Sequence, residues 1–547
     1  MRIIKPVILF LFLFSQLLAQ VESKRLSFEL KEKPLPFGLV QQIPTNYPKI
    51  SLVLSGGGAR GISQIGVLRV LDEAGIPISS IIGTSMGSLI GGMYSAGYSI
   101  NEIDSIVRNL PWDEFFSIEE ANRYELFVDQ KLSEDRAIFS IRFDGLKPVI
   151  PTSINTGQKV SNYLNLVTLN APIHVRKKFD ELLFDFKAVS TDLISGEPYV
   201  LEDGSLALAL RASSSISLLL APVYKDSLLL VDGGLVSNIP TTIAQENEAD
   251  LIIAVNTSSP LKSEEELKLP WNIADQMVSI PMKILNDQEL AAADFVIEPN
   301  IGTHENSDFT NLAELITLGE IEAREHIDEI RQFTDNIIRE KLCANDISYT
   351  NFSIEADNHD LNDYLNYKYS DYKEIFESEI LLEIAKILRD GNFLNVFADI
   401  EYSGSSVKII FKTESYPKVN QINLNGIKSI DVSEFDSITG QIEGFTFNNN
   451  IVLDLILTIL KEYRANGFSL ATLTDFQFDG NTGVLDLNFI EGRIASINLI
   501  GNDKTMDDVI LREFNFSSGE LFQYSEVEKG LANLRTTNLF NSIELQV

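Results

Sequence analysis

The first half of the chain alternates short apolar runs with stretches of helical periodicity. Residues 49–55 (KISLVLS) and 78–82 (ISSII) are typical of buried strands. Between them, apolar residues recur at helical spacing until Gly75 and Pro77 end the helix. This order predicts two parallel strands joined by a crossover helix. The residues with helical spacing are Ile62, Ile65, Val67, Leu68, Val70 and Leu71.

Each of these strands ends in a glycine-containing segment. Residues 56–61 (GGGARG) follow the first strand, and residues 83–87 (GTSMG) follow the second and open a small-residue helix. Because parallel strands end at the same edge of a sheet, we expect the two segments to lie side by side.

The GTSMG segment has the GxSxG pattern of a nucleophile elbow. A serine hydroxyl becomes a useful nucleophile when it is exposed on a tight turn near a base, and the flanking glycines allow that turn. The pattern alone is weak, but its position between a strand and a helix is the context that an elbow requires. Ser85 is therefore the candidate nucleophile, and amides of the glycine loop are candidate donors to an oxyanion.

The glycine loop also fits the GxGxxG pattern of a dinucleotide site, through Gly56, Gly58 and Gly61. That site usually has an acidic residue at the end of the second strand, to bind the ribose. Here the second strand leads into Gly83, Thr84 and Ser85, which disfavours a nucleotide.

A third strand, residues 228–231 (LLLV), leads into Asp232 and two glycines. Catalytic groups collect at the carboxyl ends of strands in α/β sheets, so Asp232 is expected near Ser85. The alternative is an aspartate that only caps the turn before the two glycines.

Together these motifs resemble the patatin-like phospholipase family. The resemblance extends through residues 179–217 and on to residues 251–256 (LIIAVN). It implies an α/β fold, a patatin-like sheet with helices on both faces, over residues 49–343. It also implies hydrolysis of lipid acyl esters by a Ser-Asp dyad. In this chain the dyad would be Ser85 and Asp232, with an oxyanion hole at Gly56, Gly57, Gly58 and Arg60.

Two points within the resemblance stay open. Arg60 could stabilise the oxyanion, or it could pair with a carboxylate and hold the loop in place. Many relatives have Pro-Gly where this chain has residues 217–220 (SLLL), which leaves the wall of the acyl site undefined.

The chain contains four histidines, His174, His304, His326 and His359, so a Ser-Asp-His triad has few candidates. Without a histidine, Asp232 must accept the serine proton itself. We therefore expect its carboxylate to lie in a desolvated site that raises its basicity.

Aromatic residues are dense in residues 108–143. They could form a lid or an acyl channel over the site, or an ordinary core. They are Trp112, Phe115, Phe116, Tyr124, Phe127, Phe139 and Phe143. Farther on, residues 311–341 have the periodicity of a solvated helix that closes the domain.

Residues 1–19, with a basic start and an apolar stretch, are typical of a secretory signal peptide, with an uncleaved anchor as the alternative. Residues 20–48 would be a linker.

Charge and composition restrict the partners that the protein can bind. A formal net charge of −34 argues against nucleic acid and against a broad basic face for anionic lipid. The single Cys343 excludes an internal disulfide, and we expect neither a metal nor another cofactor.

The second part of the chain contains repeats. Residues 422–426 (INLNG) recur as residues 497–501 (INLIG), and each copy reads as strand, helix, helix and strand. The pattern resembles α+β POTRA repeats, the periplasmic modules that precede outer-membrane barrels. We expect copies at residues 344–415, 416–491 and 492–547, the last incomplete. Such repeats could capture a strand of a partner or only space the enzyme from the membrane.

The sequence therefore predicts an exported serine acyl hydrolase that acts on phospholipid or another lipid ester, tied to the outer membrane or to an outer-membrane barrel. One alternative is an assembly or translocation scaffold in which the repeats carry the activity. Another is a soluble esterase of small molecules.

Overall fold

The computed structural model describes residues 23–112, 115, 142–144, 147–149, 155–217, 219–537, 539–540, 543 and 545. The predicted signal peptide lies outside these residues. Three strands begin the described part: β1 (Ser23–Leu26), β2 (Leu30–Pro34) and β3 (Val40–Pro44).

The first domain is built on a mixed sheet in the order β10-β11-β8-β5-β4-β12-β13, with β9 beside β8. The strands β8, β5, β4, β12 and β13 are parallel, whereas β9, β10 and β11 pair antiparallel. A hairpin of β6 and β7 stands apart. The bounds are β4 (Ile50–Leu54), β5 (Ser80–Thr84), β6 (Arg142–Asp144), β7 (Lys147–Val149), β8 (Asp185–Asp192), β9 (Pro198–Leu201), β10 (Val223–Lys225), β11 (Leu228–Asp232), β12 (Leu251–Val255) and β13 (Phe295–Ile297).

Helices cover both faces of this sheet. Leu52 and Leu54 of β4 face the larger hydrophobic core, while Val53 faces a smaller one against helix 241–246. Strands covered on both faces need apolar residues at every position, which explains the continuous apolar runs. The predicted α/β architecture is confirmed. The helices are α1 (Gln64–Glu73), α2 (Met86–Ser95), α3 (Ile100–Asn109), α4 (Gln158–Leu169), α5 (Leu206–Ser213), α6 (Thr241–Glu246), α7 (Pro270–Leu290) and α8 (Leu312–Leu342).

Helix α8 is half-buried rather than simply solvated. Its apolar side packs on α1, where Gly319 lies so close to Ser63 that a Cβ would approach the Ser63 carbonyl oxygen to 1.9 Å. Its other end reaches the repeats, since Lys386 forms an ion pair with Asp335 at 2.8 Å.

Two repeats with the β-α-α-β-β order follow, which confirms the predicted POTRA-like α+β part. The first repeat has sheet order β17-β18-β15, and the second has β19-β21-β20. The first contains β14 (Ser348–Tyr349), β15 (Phe352–Ala356), α9 (His359–Lys368), β16 (Ile375–Phe376), α10 (Glu377–Arg389), β17 (Phe393–Ser403) and β18 (Ser406–Ser415). The second contains β19 (Gln421–Asn425), α11 (Asp436–Ile442), α12 (Asn449–Ala465), β20 (Thr472–Asp479) and β21 (Val484–Ile490).

The segment expected as an N-terminal linker is structured from Ser23 onward. Strand β1 pairs antiparallel with the edge strand β17, and Leu26 is buried in the core of the first repeat. Arg25 forms an ion pair with Asp399 at 2.7 Å across this pairing. Four residues that read as polar linker form a strand here because an unpaired edge strand offers them backbone partners.

The last copy differs from its expected pattern. Residues 497–501 repeat the sequence of β19, yet they form no strand, and the copy shows the helices α13 (Asp507–Leu511) and α14 (Tyr524–Thr536). A strand requires backbone pairing, and no described residue pairs with this segment in a sheet.

Besides the contact with α8, the repeats pack against the first domain at α3, where Lys461 pairs with Glu102 at 2.7 Å, and at α4. Leu169, at the end of this helix, joins a core with Val527 and Leu531 of α14. Arg464 of α12 donates to the Ala171 carbonyl oxygen at 3.1 Å. Within the residues described, no helix combines the length and the apolar character needed to cross a bilayer.

Candidate active site

Ser85 lies on a strained turn between β5 and α2. Its backbone φ is 52°, which is rare for a residue with a side chain and is typical of a nucleophile elbow. The Ser85 amide donates to Ser213 Oγ at 3.0 Å, and that hydroxyl donates to the Val189 carbonyl oxygen at 2.6 Å. The turn is thereby fixed to β8, and Ser85 is 8% exposed.

Asp232 lies at the same edge of the sheet as Ser85, although its strand runs in the opposite direction to the strand that precedes Ser85. Strand β11 runs antiparallel to β8, so its carboxyl end should lie at the opposite edge from that of β5. However, Asp232 pairs with Ser190, whose neighbour Val189 pairs with Thr84. The strand ends after a short overlap, and this places the carboxylate level with Ser85.

The two side chains are in direct contact. Ser85 Oγ donates to Asp232 Oδ2 at 2.6 Å, and the Gly234 amide donates to Asp232 Oδ1 at 2.8 Å. Burial raises the pKa of the Asp232 carboxyl to about 6, although both hydrogen bonds act in the opposite direction. The carboxylate is thus more basic than an ordinary aspartate and lies where it can accept the hydroxyl proton.

The four histidines make their hydrogen bonds and ion pairs elsewhere. His174 Nε2 donates to the Leu169 carbonyl oxygen, His304 Nε2 donates to that of Asp308, and His326 contacts Glu322. His359 pairs with Asp363. Ser85 therefore faces a carboxylate without an intervening imidazole.

The glycine loop is held by its first and fourth residues. The Gly56 amide donates to the Asn238 carbonyl oxygen at 3.0 Å, and the Ala59 amide donates to that of Asn306 at 2.8 Å. Since the Gly56 amide is engaged, it is a poor candidate for the oxyanion hole that we expected it to join. The Gly57 and Gly58 amides make no backbone hydrogen bond to a described residue, so they remain the candidate donors.

Glycine is required at the first loop position for a different reason. A Cβ on Gly56 would lie 2.4 Å from Asn238 Oδ1 and 3.2 Å from the Ser85 Cβ. Any side chain there would separate the loop from the elbow.

The Arg60 side chain does not face the serine. Its guanidinium donates to the carbonyl oxygens of Thr257 at 3.3 Å, Gly302 at 2.9 Å and His304 at 3.0 Å. These contacts favour the second of the two expected roles, in which Arg60 holds the loop in place, although its partners are carbonyl oxygens and not the expected carboxylate.

We expect Arg60→Lys to lower stability more than catalysis. The three bonds start from two different guanidinium nitrogens, which one ammonium nitrogen cannot replace, so about 1–3 kcal/mol of unfolding free energy should be lost while kcat falls less than tenfold. Thermal unfolding and ester turnover measure the two effects, with the exposed Arg331→Lys as control. A loss of kcat at unchanged stability would instead assign Arg60 to the oxyanion.

An apolar cleft lies beside Ser85, with about 780 Å³ of space when the open solvent at its mouth is included. Trp112 stacks on Phe309 at 4.2 Å, and Phe115 lies 5.5 Å from Tyr163, so part of the predicted aromatic group lines the cleft. The side chains of the other five lie outside the described residues. Within residues 217–220, which differ from many relatives, Leu220 contributes to the apolar wall, and so does the preceding Ile216. The lining also includes Gly58, Met86, Leu89, Met93, Ile106, Val107, Leu110, Val160, Leu164, Val167 and Ser214.

Sequence reasoning missed the residues that support the dyad. Ser213 orients the elbow, and the Ser215 carbonyl oxygen accepts from the Asp232 amide at 2.9 Å. Both belong to residues 211–217 (RASSSIS), whose serine run was the available signal.

Across the described ranges, no group of three or more histidine, cysteine or acidic residues is arranged to hold a metal ion.

Comparison with known proteins finds one matching family in the first domain and another in the last repeat. The model of the patatin-like phospholipases matches residues 52–244, and the model of the surface antigen variable number repeat, a POTRA family, matches residues 492–547.

Individual relatives share only part of their length with this chain. Mouse patatin-like phospholipase domain-containing protein 6 is 33% identical over 212 residues, 38% of this chain and 14% of that protein. Lysophospholipase NTE1 of Scheffersomyces stipitis is 30% identical over 228 residues, 42% of this chain and 12% of that protein. The solved N-terminal domain of Omp85 from Thermosynechococcus elongatus has 21% identity and a TM-score of 0.30, and the match covers 37% of this chain and 90% of that one. The chain therefore contains a patatin-like phospholipase domain over residues 52–244 and a POTRA repeat at residues 492–547.

Proposed function

We propose that this protein is an exported serine acyl hydrolase that cleaves lipid acyl esters, as a phospholipase A or lysophospholipase does. The single observation that carries the proposal is the 2.6 Å hydrogen bond from Ser85, which lines an apolar cleft, to a carboxylate of raised pKa. The match to patatin-like phospholipases and the similarity to a lysophospholipase support the substrate class.

The proposed reaction uses Asp232 as the base. As Ser85 Oγ forms a bond to the ester carbonyl carbon, its proton moves to Asp232 Oδ2. The carbonyl electron pair becomes an oxyanion, for which the Gly57 and Gly58 amides are the proposed donors. The ester C–O bond then breaks, and Asp232 returns the proton to the leaving alcohol oxygen, which leaves an acyl-enzyme.

Hydrolysis of the acyl-enzyme repeats the steps with water. Asp232 takes a proton from water as the hydroxide oxygen attacks the acyl carbon, and the proton returns to Ser85 Oγ as the fatty acid leaves. The cleft suits an acyl chain because its lining is almost entirely aliphatic and aromatic, and burial of each methylene contributes about 0.8 kcal/mol.

Covalent labelling with a fluorophosphonate tests the nucleophile directly. We expect the full chain to release fatty acid from phospholipid and lysophospholipid, and to gain one phosphonyl group on Ser85. Ser85→Ala should neither turn over nor be labelled. A parent protein that shows neither turnover nor labelling would favour the scaffold alternative, and equal rates on micellar and monomeric esters would favour a small-molecule esterase.

The pH profile should follow the Asp232 carboxyl. Only the ionised carboxylate accepts a proton, and its pKa is raised to about 6, so kcat/KM should fall about tenfold per pH unit below pH 6 and level off above it. Initial rates on a non-ionising ester between pH 4.5 and 8.5 measure this. A flat profile down to pH 5 would contradict the assignment.

We also infer that the protein is exported and works at the outer membrane. The POTRA match and the signal-like residues 1–19 support this location, and an outer-membrane partner would bind through the repeats. Fractionation of cells that express the chain with and without residues 1–19 tests it. Recovery of both forms in the cytoplasm would contradict export.

A further inference from the structure

Helix α7 presents an unusual row of apolar side chains to solvent. Ile273, Met277, Ile280 and Ile284 are 48%, 70%, 46% and 56% exposed, and their spacing places them on one face. The adjacent Val278 is 48% exposed. Single exposed apolar residues are ordinary, but a contiguous row of this length marks an interaction surface.

Polar contacts at two points along this helix hold it to the domain. Gln276 Oε1 accepts from the Lys262 amide at 2.9 Å, and Glu289 accepts from the Thr241 hydroxyl at 2.7 Å and the Thr242 amide at 2.8 Å. Since these contacts fix the rotation of the helix about its axis, the apolar row faces outward.

The same helix lies beside the candidate dyad. The Met282 methyl group is 3.7 Å from the position that a Cβ would take on Gly234, and the Gly234 amide is the donor to Asp232. A surface that covered α7 would therefore lie about one helix diameter, roughly 10 Å, from the Ser85–Asp232 pair.

The charges on α7 favour a neutral partner. Asp275 is paired with Lys262 at 3.1 Å and Lys283 with Asp287 at 2.8 Å, so the helix offers no excess of cations to an anionic surface. The formal charge of −34 on the chain also opposes anionic membranes.

We propose that the apolar row of α7 inserts into the surface of a neutral phospholipid membrane and delivers the dyad to its substrate. The choice of a lipid partner rests on the proposed function, because the cleft beside Ser85 suits an acyl chain and acyl esters of that kind reside in membranes. Amphipathic helices lie in the membrane interface with their apolar side chains about 5–10 Å deep.

Flotation with phosphatidylcholine vesicles tests this surface in the full chain carrying Ser85→Ala, so that no product forms. We expect this protein to float with vesicles and Ile273→Ser/Met277→Ser/Ile284→Ser to lower the partition coefficient more than tenfold. The matched control is Ile500→Ser/Met506→Ser in the last repeat, whose side chains are 95% and 75% exposed and which should change binding less than twofold.

The same variants with Ser85 intact separate docking from chemistry. The triple variant should lose turnover on vesicles and keep it on a water-soluble monomeric ester, which also shows that it folds. Met277→Ser alone should lower partition about threefold.

Equal flotation of the triple variant, or no flotation of the parent, would overturn the proposal. It would also be overturned if the triple variant turned a sedimenting dimer into a monomer with unchanged flotation, since the row would then bind a second copy. Flotation without any fatty-acid release would uphold the lipid surface and reject the proposed hydrolysis.

Discussion

Asp232→Asn is expected to lower kcat/KM about a thousandfold, and Ser85→Ala about ten-thousandfold or more. The asparagine amide keeps an oxygen for the Gly234 donor but cannot accept the serine proton, so the geometry survives and the base is lost. Alanine removes the nucleophile itself. Rates on a monomeric ester and on phospholipid vesicles measure both losses.

Stability distinguishes lost chemistry from lost folding in these variants. The raised pKa of Asp232 means that the folded protein disfavours the ionised carboxylate above pH 6. Replacing it with a neutral amide should therefore leave the thermal unfolding temperature at pH 8 unchanged or higher. The control is Asp203→Asn, which replaces an exposed carboxyl on the loop before α5. It should change neither kcat/KM nor the thermal unfolding temperature. Near-normal turnover by Asp232→Asn would exclude the dyad.

Arg464→Ala is expected to cause a large loss of stability, because Arg464 lies at the interface between the second repeat and the first domain. The guanidinium donates to the carbonyl oxygens of Phe468 and Ala471, both at 2.8 Å, and to Ala171 in the first domain. Burial lowers the pKa of Arg464 to about 10, so it remains charged at neutral pH. Removal leaves three carbonyl groups without this donor, at about 1 kcal/mol or more each, or roughly 3 kcal/mol in total.

Thermal unfolding followed by circular dichroism measures this effect. A loss of about 3 kcal/mol corresponds to a fall of roughly 6–12 °C for a domain of 150–250 residues. Arg493→Ala removes an exposed guanidinium that bonds one carbonyl oxygen, that of Gly519, and should shift the transition by less than 2 °C by the usual scale of surface substitutions, about 0.5 kcal/mol. Equal shifts of the unfolding temperature in the two variants would show that Arg464 does not hold the repeats to the first domain.

Arg464 is also expected to affect the cleft, because α4 both lines the cleft and packs against the repeats. Val160, Tyr163, Leu164 and Val167 line the cleft, whereas Leu169 packs on the last repeat. The repeats thus contact α4, which forms part of the cleft wall, and Arg464→Ala should raise KM for long acyl chains more than for short ones.

The sequence by itself determined the local geometry of the candidate site. The continuous apolar runs of β4 and β5 required a sheet covered on both faces, and the glycines on either side of Ser85 permitted a tight turn. Two parallel strands then had to bring the glycine loop and the elbow to one edge. These features depend on residues close in the chain, so periodicity and turn chemistry specify them.

Only the tertiary structure decided the contacts made at long range. Asp232 reaches Ser85 through the register of an antiparallel strand, Arg60 binds carbonyl groups from two distant loops, and Ser23–Leu26 completes the sheet of the first repeat. Such contacts depend on which strand edges and carbonyl groups remain unpaired after the chain has folded. A single sequence contains no local signal for that, because an aspartate, an arginine or a polar tetrapeptide has many partners of equal chemistry.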